Sequence, residues 1–212
     1  MLAKRRLEGL RREAGVCFAS ILAGTPLNRA PLAGIGDAMS GLRWLDGYSG
    51  QSVDELIAFA SQYRVDSIVS AIDQALQQTA ERIGLSQLNE VELTIVVVEA
   101  LDREVNNGGY HQFFLNTPEY APFVVAALQR IRCPKTSDIS ASAISLLGLG
   151  QQLTTNQVQM ALDKDIDGHL IDVLYDQCDQ PYYDSGEPIA DRLFAFVRTH
   201  RSSIRLQMYD AR

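Results

Sequence analysis

The stretch EVELTIVVVEALDREV, residues 90–105, decides the fold. Read locally, TIVVV is β-branched and favours a strand. Yet the run continues through Glu99, Ala100, Leu101 and Glu104 with no Gly or Pro to break it. Wound as a helix, it places Glu92, Glu99 and Arg103 on one narrow polar strip and leaves nearly every other position apolar. That is the pattern of a central, mostly buried helix. Burial overrides a β-branched penalty of roughly a few tenths of a kcal/mol per residue.

On the C-terminal side, Asn106-Asn107-Gly108-Gly109 is expected to stop this helix, because Asn and Gly tolerate the left-handed backbone of a helix end. Tyr110–Leu115 reads as a short helical piece. Thr117-Pro118 reads as a further N-terminus, with a periodic face at Val124, Ala127, Leu128 and Ile131. On the N-terminal side, Ser52 and Glu55 have capping-box spacing ahead of a helix over 53–62. Val65, Ile68, Val69, Ile72, Leu76, Ala80 and Ile83 then trace one helical stripe, ended by Gly84. Further helices are expected near 138–147, 155–163, 167–178 and 188–204. No alternating strand pattern and no fixed-period repeat is present. The fold class is all-α: a single multi-helix orthogonal bundle over 51–212. Residues 1–50 add an N-terminal basic helix and an irregular Gly/Pro-rich segment, with Trp44 and Leu45 tucked onto the core.

Composition narrows the function. The chain has 212 residues with 46% hydrophobic content, enough for a core without disulfide or metal staples. It carries 26 acids against 19 bases, net −7, which disfavours direct binding of nucleic acid. Three separated cysteines with no CxxC favour a reducing compartment and speak against a cysteine zinc site. No apolar run reaches membrane-spanning length. Residues 1–13 are net +3, and the mild stretch AGVCFASILAG follows, but spread charge and interrupting Gly favour an amphipathic helix over a signal peptide. A cytoplasmic location is expected.

The most distinctive tract is EVNNGGYHQFFLN, residues 104–116. Glu104, Asn106, Asn107, His111, Gln112 and Asn116 crowd around Gly108-Gly109 and alternate with aromatics. Two readings stand. The tract is a corner whose Asn side chains cap backbone groups while its aromatics lock onto the core. Alternatively it is the floor of a small-molecule or catalytic pocket in which His111 moves protons. A lone His without a partnered carboxylate or nucleophile does not specify catalysis, so no catalytic residue is assigned.

This tract, preceded by NEVELTIVVVEALDR, resembles the motif of a bacterial DNA-mimic-protein-like family of largely unknown function, with Tyr110 in place of the usual Phe. The segment LYDQCDQPYYDSGEPIADRLFAFVRTH, residues 174–200, is similar to the end of that family, with its Asp-x-x-Tyr-Tyr element and final helix. The likeness spans about residues 52–202. It implies an all-α fold, no established enzymatic activity, self-association as a homodimer, and an acidic surface offered to a DNA-binding protein in place of DNA.

Phosphate mimicry needs dense carboxylates on one side. Asp163, Asp165, Asp167, Asp172, Asp176, Asp179, Asp184 and Glu187, with Asp191, face only Lys164 within residues 160–191. This cluster is the expected partner-binding face, helped by Asp66, Asp73 and Glu81 on the polar side of the 65–83 helix. DKDIDGHLIDVL (163–174) imitates a calcium loop, but Leu174 stands where a bidentate Glu is required, so no metal site is assigned and the run reads as an acidic helix start. No cofactor motif is present. The expected function is a protein-interaction module whose acidic face engages a basic partner such as a DNA-binding regulator. The alternative is the pocket at Asn106–Asn116.

Overall fold

The computed structural model describes residues 41–149 and 153–206. The expected basic N-terminal helix lies outside them. The described residues form helices α1 (Val53–Ala58), α2 (Val65–Ile83), α3 (Glu90–Asn116), α4 (Val124–Arg130), α5 (Pro134–Leu146), α6 (Thr155–Asp163), α7 (His169–Leu174), α8 (Gln180–Asp184) and α9 (Ile189–His200). The sole β feature among the described residues is an isolated bridge between Arg43 and Tyr63. None of these helices is long and apolar enough to cross a membrane.

The β-branched run is helical because it is fully enclosed. Ile95, Val96, Val97 and Val98 are all completely buried. Burying each contributes about 1.5–3 kcal/mol, several times its propensity penalty. α3 packs against α2 on one side and α4 on another, and α9 lies across α2 and α3. The α2 stripe supplies Ile68, Ile72 and Leu76, and α9 supplies Leu193 and Val197, all with no exposed surface.

Helix ends follow local chemistry. The capping box of Ser52 and Glu55 is formed. Asn89 and Glu92 form a second one at the start of α3. Gly84 ends α2 at φ +91°. The first helix is shorter than expected: Phe59–Ser61 tighten to a 3-10 turn. The expected 167–178 helix starts at His169 and widens into a π turn over Tyr175–Asp179. Leu45 packs on the core, but Trp44 is half exposed and its indole carries the Arg64 guanidinium instead.

Candidate functional site

α3 is interrupted, not ended, by its glycines. Gly108 is extended (φ −169°) and Gly109 has φ +77°, after which the helix resumes at once. The break exposes the Tyr110 N–H, and the buried Asp179 accepts from it at 2.8 Å. A Cβ on Gly109 would lie 2.0 Å from an Asp179 carboxylate oxygen. The residue must therefore be glycine both for its backbone angle and for the approach of Asp179.

The motif's polar side chains close on one another across the break. Glu104, buried before it, accepts from Gln112 Nε2 at 2.9 Å and Asn116 Nδ2 at 2.8 Å beyond it. Arg103 donates to the other Glu104 oxygen. Asn106 donates to the Asp102 carbonyl and carboxylate. The Asp-x-x-Tyr-Tyr element completes the clamp: Asp179 takes Tyr110 N–H, Tyr182 donates to Asp102 at 2.7 Å, and Tyr183 donates to the Val105 carbonyl at 2.7 Å. Tyr110, Phe113 and Phe114 are fully buried, and the Tyr110 hydroxyl meets Ser140. Asn107 and Gly108 lie at the surface. Nearly every polar group of the tract is spent on holding two half-helices at an angle, which favours the corner reading.

Burial raises the pKa of Asp179, opposed by the Tyr110 N–H, and raises that of Asp102, opposed by Tyr182 and Asn106. His111 is half-buried. Desolvation lowers its pKa, and only Asp165 opposes.

The acidic residues divide. Asp163, Asp167, Asp172, Asp176 and Asp184 are exposed. Asp165 is partly buried and caps the Leu170 N–H with both oxygens. Glu187 accepts from the Lys135 and Thr136 N–H groups and the Thr136 hydroxyl at the start of α5. Burial would raise the Glu187 pKa, but these donors hold it low. Asp179 does not belong to the expected acidic face, because the helix break draws it inside. Asp73 is a second correction. It is buried at 4% exposure, accepts from Arg103 and Gln77, and is pushed by desolvation up to about 6. Its place beside Ile72 and three residues before Leu76 puts it on the flank of the apolar stripe, a signal the sequence did contain. Glu99, across the same seam, is also raised well above its ordinary value by burial, with Asp73 and Asp102 adding to it. Among the described residues no His, Cys, Asp or Glu group has the geometry to hold a metal ion.

A family model described as DMP19-like protein matches residues 86–200, more than half of the chain. The match takes in the broken α3, the acidic α7 segment and the Asp-x-x-Tyr-Tyr element. No curated protein and no solved structure matches.

Proposed function

Because the chain belongs to the DMP19-like protein family, a family of the DNA-mimic type, we propose that it is a protein-interaction module. Its exposed carboxylates occupy a DNA-binding protein's basic surface in place of DNA. The observation that carries this reading is the exposed set Asp163, Asp167, Asp172 and Asp176, with Lys164 as the one Lys or Arg between them in the sequence. Asp172 and Asp176 are four residues apart on the rod that begins at His169, about 6 Å along its axis. That is nearly twice the axial spacing of about 3.4 Å between phosphates of one DNA strand, so one copy carries a sparser row, which a homodimer would double. The expected partner is a basic protein of the cytoplasm, held by an electrostatically steered, salt-sensitive contact.

The pocket reading at Asn106–Asn116 draws less support. Gln112, Asn116 and Asn106 are engaged by Glu104 and Asp102, and the two cavities described in the molecule lie elsewhere.

The test is competition. Basic DNA-binding proteins are loaded on a fluorescent duplex and titrated with the chain at low and high salt. Displacement at low salt that fades with added salt, and that is lost when Asp163, Asp167, Asp172 and Asp176 are changed to Asn, supports the proposal. Displacement by that variant as effective as by the parent would sink it.

A further inference from the structure

A groove of about 590 Å³ opens between the C-terminal end of α5, α6 and α7. Its walls are mainly apolar, with Leu146, Leu149, Met160, Ala161, Leu170 and Val173. Beside it Met160 is 48% exposed, and Ile166, on the loop from α6 to α7, is 82% exposed. Leaving both side chains in water forgoes the gain from burying them, and apolar surface rimmed by polar groups marks interaction sites.

Lys164 and Asp165 are the charged residues that line the groove itself, with Asp165 turned to the Leu170 N–H, and the exposed charges on the segments beside them are mostly carboxylates. His169, Leu170 and Val173 line the groove, so Asp172 and Asp176 flank that side of the helix. Asp163 and Asp167 stand exposed at the α6 end and on the adjoining loop, and Lys164 is the one cation among them.

We propose that this groove docks an amphipathic helix of a partner protein, with Leu- or Met-type side chains seated between α6 and α7 and flanking Arg and Lys paired with Asp163, Asp167, Asp172 and Asp176. Charge complementarity selects this occupant. An anionic lipid surface is repelled by the rim, and a small apolar ligand leaves the carboxylates unused. Helix-in-groove docking takes its affinity from an apolar stripe and its orientation from the charges beside it. The inference rests on the acidic-face reading for the partner's sign. It goes further in adding an apolar anchor, which mimicry by charge alone does not need.

The experiment uses the full chain and three labelled synthetic peptides read by fluorescence anisotropy. The first is a Leu/Lys/Arg helix with one apolar face. The second has the same composition scrambled so that no face forms. The third has Glu in place of Lys and Arg. The first is expected to bind about tenfold or more tighter than the others. Met160→Ser and Ile166→Ser are each expected to weaken it severalfold, with melting midpoint and circular dichroism unchanged because both side chains already face water. Equal binding of the scrambled peptide, or full affinity in both Ser variants, overturns the groove while leaving the acidic face intact. Tight binding of the Glu peptide overturns the charge pairing. If no peptide binds but the chain still displaces a basic protein from duplex DNA, the groove alone is overturned; if it does neither, both readings fall.

Discussion

Carboxylates gather at two places in this protein and behave as opposites. Around the α3 break, Glu104, Asp179 and Asp102 are turned inward, and each accepts from named donors on other parts of the chain. Along residues 163–176, Asp163, Asp167, Asp172 and Asp176 stand in solvent. The two groups look alike in sequence, and Asp176 and Asp179 are only three residues apart. What separates them is whether an unsatisfied backbone or amide donor lies within reach inside the fold. A buried N–H without a partner costs about 1–3 kcal/mol, enough to draw a carboxylate out of water when other donors share the cost. A dense acidic run is therefore not the same thing as a charged surface.

The sharpest break of this contrast is at the glycines. Gly109→Ala meets a strained backbone angle and the Asp179 carboxylate together, and is expected to cost about 3–4 kcal/mol. Its neighbour Gly108 has a φ that any residue adopts, and a Cβ there meets the Gln112 side chain and displaces its bond to Glu104, so Gly108→Ala should cost less, about 1–2 kcal/mol. Equal losses in urea unfolding of the two variants would remove the argument for Asp179 as the reason for Gly109. Next, Asp179→Ala should destabilise by about 2 kcal/mol, by orphaning the Tyr110 N–H. Combined with Gly109→Ala it should cost less than the sum, since the clash is then gone; strict additivity would show that the two residues do not meet.

An effect smaller than that of Gly109→Ala separates the two regions by pH. Asp73, Asp102, Glu99 and Asp179 have raised values in the folded state, so the folded chain holds more protons than the unfolded chain above the ordinary carboxylate range. Their contribution is full at low pH and is lost as pH rises through their folded values. Glu92 and Glu187 act in the opposite sense. Burial pushes Glu92 up, but the Arg205 and Asn89 hydrogen bonds outweigh it, and the stability it lends is lost as pH falls through its depressed value. Stability should therefore be greatest near about pH 4–4.5 and fall from there toward pH 7.5, by on the order of 2–3 kcal/mol. Asp73→Asn should flatten that fall, and an unchanged slope in this variant would show that the seam is not its source. Smallest of all, Asp172→Asn with Asp176→Asn should leave the melting temperature at its parent value while weakening any basic partner. A stability loss there would mean that these carboxylates, too, belong to the interior.

Much of this was legible from residue order. The stripe on α2, the capping box at Ser52, the stop at Gly84 and the buried rod over 90–105 follow from spacing alone, because one apolar face must find cover. The density of the EVNNGGYHQFFLN tract marked the corner. The partners of that corner were not legible. Asp102 and Tyr182 are 80 residues apart, as far as a hydrogen bond of 2.7 Å is concerned, and no local rule pairs them. Nor did periodicity reveal that Trp44 would stay half in water under Arg64.

Residue order by itself determined most of the helical segments, the capped start at Ser52 and the stop at Gly84, since hydrogen bonds within a segment and its caps depend on near neighbours in the chain. Tertiary packing decided which carboxylates serve the interior and which face a partner. Desolvation and pairing depend on what arrives from distant segments, and that is settled only when α3, α7 and the Asp-x-x-Tyr-Tyr element have been brought together.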